Sequence, residues 1–216
     1  MIHDLSKTNS VLNQFVLELR DINIQQDRQR FKRNLERIGE ICAYEMSKTF
    51  EYQTVEVTTP LGCCQTSKLK EQPVIAAILR AGLPLAQGLN NFFDLSDCAY
   101  ISAYRKHDQA GGFSIQLEYV ACPNLNDRIL VIADPMLASG ASIVMILGAL
   151  LKSWSPKEIH IISAIAAQPG INFVSERYPD IHIWTAAIDP ELNEKKYIVP
   201  GLGDAGDLAF GTKEQC

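Results

Sequence analysis

VIADPMLASGAS, residues 131–142, passes from apolar β-forming residues to a carboxylate and then to a stretch of small side chains. The apolar run starts slightly earlier, as RILVIAD at 128–134, and reads as a buried strand ending in Asp134. After it come Pro135, Met136, Leu137, Ala138, Ser139, Gly140, Ala141 and Ser142, with a helix expected to start near the last of these. Small residues in such a loop let the backbone approach a phosphate closely. The amides and positive dipole end of the helix can then hold the anion. Asp134, at the strand tip, is placed to accept hydrogen bonds from sugar hydroxyls. A plain strand-to-helix turn with serine as N-cap would use the same residue types, so the segment alone leaves both readings open.

Working outward, the same texture recurs. PVIAAIL (73–79), CAYISAY (98–104), IHIISAIAA (159–167) and IHIWTAAID (181–189) all read as buried strands. Helical patterns fall near 84–93, 142–153 and 170–178. Near-continuous apolar strands separated by helices imply an α/β fold, with a central, mostly parallel sheet flanked by helices on both faces. In such sheets ligands bind outside the carboxyl ends of the strands, so the loops there are where chemistry belongs. Upstream, 27–49 reads as an amphipathic helix, with Phe31, Leu35, Ile38, Cys42 and Met46 at three- and four-residue steps. Residues 50–59 look like a strand, and the polar stretch 61–72 like an irregular turn or hairpin tip.

Two more strand ends carry basic groups. In ILRAGLPL (78–85), Arg80 follows a strand directly, and its fork suits a phosphate or diphosphate. A surface arginine capping the sheet is the plainer reading. AYRKHDQAGGF (103–113) opens with Arg105 and Lys106 and runs into a polar, glycine-containing stretch. That composition suits either a flap closing basic groups over an anionic leaving group or a simple flexible hairpin. The tail YIVPGLGDAGDLAFGT (197–212) is too rich in glycine for a regular helix or strand. Its interspersed Tyr197, Ile198, Val199, Leu202, Leu208 and Phe210 argue for a loop packed on the body.

Bulk properties narrow the class. The 216 residues suit one domain spanning 1–216, since no repeat or linker interrupts them. A net charge of −5 argues against a general nucleic-acid surface, which needs excess lysine and arginine. No apolar run approaches the roughly 20 residues a membrane-spanning helix requires. Charges and amides fill the first residues where a signal peptide would be apolar, which leaves the cytoplasm as the expected compartment. The six cysteines form no C-x-x-C pair, so reduced, structural thiols are expected.

Taken together, ILRAGLPL, the Tyr104-Arg105 pair, DPMLASGAS and LNEKKYIVPGLGDAGDLAFGTK (192–213) closely resemble uracil phosphoribosyltransferase. RF at Arg30-Phe31 and YE at Tyr44-Glu45 extend the resemblance upstream to about Arg30. It implies the type I phosphoribosyltransferase fold with a small hood built from N- and C-terminal segments. Residues 190–216 would contribute the base-binding loop. The implied reaction joins uracil to the ribose 5-phosphate of phosphoribosyl diphosphate (PRPP), giving UMP and diphosphate with Mg2+ as cofactor.

By the same resemblance, residues from Asp134 to Ser142 would hold the ribose hydroxyls and 5-phosphate, and Arg80 and Arg105 the diphosphate. Backbone groups at Ile198, Gly203, Asp204 and Ala205 would read the acceptor–donor–acceptor edge of uracil, and Asp204 would reach magnesium through water. Arg105, Asp134 and Asp204 are therefore the candidate catalytic residues. Relatives form dimers or higher assemblies and some respond to GTP, which implies a homo-oligomer and makes GTP a candidate effector. An inactive nucleotide-sensing regulator on the same fold is the competing reading. Two departures stand out. The family loop usually carries a threonine and two glycines where this chain has Ser139, Gly140 and Ala141. If Ala141 had to take a positive φ, PRPP affinity would fall. The first 25 residues also match poorly.

Overall fold

A computed structural model of the chain describes residues 1–107 and 113–213, with side chains throughout these except at 103–117. The N-terminal part contains β1 (Ile2–Asp4), α1 (Val11–Arg20), α2 (Arg28–Ser47), β2 (Tyr52–Thr59) and β3 (Gly62–Leu69). The centre contains β4 (Val74–Leu79), α3 (Gly82–Asn90), β5 (Asp97–His107), β6 (Phe113–Ala121), β7 (Ile129–Ala133), β8 (Met136–Leu137) and α4 (Ala141–Leu150). Then follow β9 (Glu158–Ser163), β10 (Ile165–Ala167), α5 (Gln168–Arg177), β11 (His182–Thr185) and β12 (Ile188–Asp189). The tail forms β13 (Glu191–Leu192), β14 (Ile198–Val199) and α6 (Ala205–Phe210).

Seven strands make the main sheet, in the order β1-β11-β9-β7-β4-β5-β6. Every neighbouring pair is parallel except β5 with β6. In β4, Ile75 and Ala77 join the apolar cluster of α1, α2, α3 and α6, whereas Val74, Ala76 and Ile78 join that of α4 and α5. β7 divides in the same way, with Ile129, Val131 and Ala133 on one face and Leu130 and Ile132 on the other. Strand side chains alternate between faces, so a strand covered on both must be apolar at nearly every position. This is why these runs are unbroken in the sequence. α2 buries the expected stripe of Phe31, Leu35, Ile38, Cys42 and Met46. Truncating one of them, as in Leu35→Ala, would cost about 2–5 kcal/mol.

The structure corrects the sequence reading at three places and fills in a fourth. Residues 61–72 are not an irregular tip, because most of them form β3, which pairs antiparallel with β2 from Tyr52↔Leu69 to Thr59↔Gly62. This hairpin is exposed on both faces, so no apolar alternation marks its second strand. β6 was likewise not expected, and it pairs antiparallel with a β5 that runs on to His107. The apolar runs 159–167 and 181–189 each break in two, and their ends join β8 in a second parallel sheet, β12-β10-β8.

Finally, the first 25 residues are an integral part of the fold. β1 extends the main sheet on β11, and His3 stacks on Trp184 with ring centroids 3.6 Å apart. α1 docks on α2 through Glu18, which accepts hydrogen bonds from Arg30 Nε (2.8 Å), Arg30 Nη2 (2.7 Å) and Asn34 Nδ2 (2.7 Å). The Arg30 hydrogen bonds, with help from Gln14 and Asn34, hold the Glu18 carboxyl well below the usual carboxylate range.

Candidate active site

The chain reverses direction across the sheet between β4 and β7. β4 leads through α3 to β5 on one side, and β7 leads through α4 to β9 on the other. The two helices lie on opposite faces, which opens a crevice at the carboxyl ends of these strands. Arg80 directly follows β4 and Asp134 directly follows β7, so both candidate residues stand at its mouth.

Asp134 lines three adjoining compartments of this cleft, of about 330, 480 and 60 Å³. Its Oδ1 accepts a hydrogen bond from the Met136 amide at 3.3 Å. Burial pushes its carboxyl up to about 6, an effect the Met136 amide only partly offsets. The smallest compartment is a cup bordered by Ala138, Ser139, Gly140, Ala141 and Ser142. Gly140 is the N-cap of α4, with φ 76, and offers no side chain to the first amides of the helix. Ser139 Oγ makes a single long contact to the Ala141 amide, at 3.5 Å. A helix start left this open, with no acidic residue in its first turn, is suited to an anion.

Gly140 needs its positive φ, and a Cβ there would also lie 2.8 Å from Val174 Cγ2. Ala141, by contrast, is the first residue of α4 and is not among the positive-φ residues. The backbone strain anticipated at Ala141 is therefore absent, because the left-handed turn falls one residue earlier. Pro135 does not border the cup, and its carbonyl accepts from the Ala164 and Ile165 amides at 3.1 and 3.0 Å. Those bonds tie the phosphate loop to the second sheet.

The tail closes the opposite side of the cleft. Ile198, Gly203, Asp204 and Ala205 line the 330 Å³ compartment with Lys196 and Tyr197. Asp204 also N-caps α6, accepting from the Asp207 amide at 3.0 Å. Arg80 reaches across to α6, donating to Asp207 Oδ1 at 3.3 Å and to the Gly211 carbonyl at 3.2 Å. With Asp134, Asp204, Asp207 and Lys213 it borders the 480 Å³ compartment. The Arg105 side chain, and residues 108–112 of the anticipated flap, lie outside the described residues. Sequence reasoning missed Lys196, Asp207 and Lys213, whose polar residue types carry no signal of which surface they face. It also missed Arg20 and Asp189 behind the tail.

The family model for uracil phosphoribosyltransferase matches residues 7–212. The chain belongs to the uracil phosphoribosyltransferase family. It is 50% identical over 214 residues to the uracil phosphoribosyltransferase of Porphyromonas gingivalis, covering 99% of each chain. Against that of Methanococcus vannielii it is 40% identical over 203 residues, 93% of this chain and 86% of the relative. A solved protein of Aquifex aeolicus superposes with a TM-score of 0.87 at 30% identity, covering 98% of both chains. A hypoxanthine phosphoribosyltransferase of Staphylococcus aureus, at 13% identity, gives a TM-score of 0.51 over 86% of this chain and 84% of its own. That last likeness concerns the fold, which is the type I phosphoribosyltransferase fold. The family match reaches well upstream of Arg30, so the N-terminal segment belongs to the resemblance after all. Uracil phosphoribosyltransferase is a pentosyltransferase that converts uracil and PRPP to UMP and diphosphate. The inactive-regulator reading is not favoured.

Proposed function

We propose that this enzyme seats PRPP across the three compartments that meet at Asp134, with uracil under the tail. The observation that carries this reading is that the phosphate-type cup, the Arg80 compartment and the tail-lined compartment all share Asp134. The 5-phosphate occupies the cup from Ala138 to Ser142, and Asp134 accepts hydrogen bonds from the ribose hydroxyls. The diphosphate lies toward Arg80, with Arg105 closing from the β5–β6 hairpin. Backbone groups of Ile198, Gly203, Asp204 and Ala205 read the edge of uracil.

N1 of uracil then forms a bond to the anomeric carbon as the bond to diphosphate breaks, and the N1 proton passes to solvent or to the departing anion. The positive charge that grows on the ribose ring favours nearby carboxylates, and the charge growing on the leaving group favours the arginines. Asp134 and Asp204 offer hard oxygen donors on one cleft, which fits Mg2+ held by one or two carboxylates, water and substrate phosphates. Bound magnesium would neutralise diphosphate charge. Asp204 would hold it through water.

The chain acts as one domain, with residues 190–216 supplying the base loop. For oligomeric state we favour a homodimer or larger homo-oligomer. The β2–β3 hairpin supports it, because it is exposed on both faces and carries Tyr52, Val57 and Leu61 into solvent. Free thiols at Cys42, Cys63, Cys64, Cys98 and Cys122 fit a reducing cytoplasm, and no helix among the described residues is long and apolar enough to cross a membrane.

The test is UMP formation from PRPP and labelled uracil, beside cytosine, adenine and hypoxanthine, with and without magnesium and GTP. Turnover with uracil alone, dependent on magnesium and reduced about 10- to 100-fold in Asp204→Ala, is the expected result. Equal turnover in Asp204→Ala would overturn the assignment of the tail.

A further inference from the structure

Behind the base-facing loop sits an ion pair drawn from opposite ends of the chain, its carboxylate buried and its arginine partly exposed. Arg20 is the last residue of α1, and Asp189 ends β12. Arg20 Nη2 meets Asp189 Oδ1 at 2.7 Å and Arg20 Nη1 meets Oδ2 at 2.8 Å, in the two-pronged geometry an arginine fork permits. Asp189 is 4% exposed. Both partners also bind one residue of the tail. Arg20 Nη1 donates to the Gly201 carbonyl at 2.9 Å, and the Gly201 amide donates to Asp189 Oδ2 at 2.9 Å.

Gly201 is not an arbitrary point of attachment. It lies between Ile198 and Gly203, which line the cleft, and it turns the chain with φ 60. A Cβ at Gly201 would come within 2.2 Å of the Ile198 carbonyl oxygen. The two peptide groups flanking this turn are therefore both captured by the ion pair. The Arg20 end is itself braced, since buried Gln25 donates from Nε2 to the Arg20 carbonyl at 3.0 Å. Neither Arg20 nor Asp189 is among the residues described as lining the cleft.

Burying the Asp189 carboxylate costs solvation that its attraction to Arg20 does little more than repay, so the pair is weak evidence for stability. An apolar contact would dock α1 against β12 as well. What an apolar contact cannot do is hold a carbonyl and an amide of one glycine in fixed directions.

We infer that the Arg20–Asp189 pair is a positioning device that pre-forms the uracil-reading turn at Gly201 by clamping both of its peptide groups. This inference rests on the assignment of uracil to the tail given above. The clamp sets where the backbone groups of Ile198 and Gly203 stand before the base arrives. It acts on base recognition and leaves the PRPP cup alone.

The experiment compares steady-state constants and melting of the full-length enzyme with Arg20→Lys, Arg20→Met, Asp189→Asn and, as a direct perturbation of the turn, Gly201→Ala. Loss of the clamp should raise KM for uracil about 10- to 100-fold, the scale set by small misplacements of binding groups. KM for PRPP should stay within about twofold. Arg20→Lys keeps the charge without the fork, so it should recover only part of the loss seen in Arg20→Met. If KM for both substrates rises together with a matching fall in melting temperature, the pair is general scaffolding and the inference fails. If Gly201→Ala alone raises KM for uracil, the clamp is refuted while the tail remains the base site. If no variant, Gly201→Ala included, alters KM for uracil, the assignment of uracil to the tail falls and the clamp falls with it.

Discussion

The phosphate-type cup and the base-facing tail border one cleft but differ in how much of their shape comes from within their own stretch of chain. The cup comes from one continuous stretch, Asp134 to Ser142, shaped by a strand end, a left-handed glycine and a helix start, and tied to the second sheet through Pro135. The tail has local restraints in the β13–β14 pair and the Asp204 cap, but its Gly201 turn is also held from outside. Its turn is gripped by Arg20 and Asp189, and its helix is tied to Arg80 through Asp207. The more a site's shape comes from its own stretch, the less distant change reaches it, whereas a turn gripped from outside is tuned by residues that never meet the ligand. Substitutions on the two sides should therefore separate cleanly in their effects on the two substrates.

The largest effect is expected where the two regions meet. Asp134→Asn should lower kcat/KM by about 10²- to 10³-fold, as removal of a charge aimed at the transition state does in other enzymes. The same change should stabilise the free protein at neutral pH. The folded carboxyl titrates near 6, above its ordinary 3.8, so the folded state binds the extra proton between those values. Stability contributed by this group therefore falls as pH rises from about 4 to 6 and stays low above. The cost at pH 7 is about 1–3 kcal/mol. Melting curves of wild type and Asp134→Asn should converge near pH 4 and diverge by pH 7.5, with the variant higher. A variant that melts lower at pH 7.5 would mean the carboxylate is a structural asset there.

Asp204 sharpens the tail side, because its carboxylate both faces the cleft and caps α6. Asp204→Ala should lose about 0.5–2 kcal/mol through the missing cap, while Asp204→Asn keeps a capping oxygen and most of that stability. Both should lose activity about 10- to 100-fold if the charge is what matters. Full activity in Asp204→Asn would reduce its role to capping. On the cup side, Gly140→Ala forces a left-handed alanine against Val174, at about 1–2 kcal/mol or more. KM for PRPP should rise severalfold with KM for uracil unchanged, and an equal rise in both would break the separation.

The smallest effect belongs to Ala141→Gly. Alanine occupies an ordinary helical position there, so glycine should cost at most about 1 kcal/mol and leave KM for PRPP within twofold. Tighter PRPP binding in that variant would show that the methyl group obstructs the cup.

Much of the fold was legible because burial on both faces leaves a simple mark. β4 and β7 are apolar at every position since each alternate residue meets a different helical layer. β3 and β1 left no such mark. β3 is exposed on both faces, and β1 is too short to show a period. The cup was legible as a strand-loop-helix unit, and the tail as a glycine-rich run with apolar residues interspersed.

By itself, then, the sequence determined the α/β class, the places where strands end, the residue types offered to a phosphate and the family that carries them. Tertiary structure alone decided which strand ends become neighbours, since order across a sheet depends on where each crossover helix packs. It decided that Asp134 is desolvated enough to titrate near 6, which follows from what surrounds a group rather than from its neighbours in the chain. It also paired Arg20 with Asp189 from opposite ends of the sequence, because a charge separated by so many residues finds its partner only when the whole chain has folded.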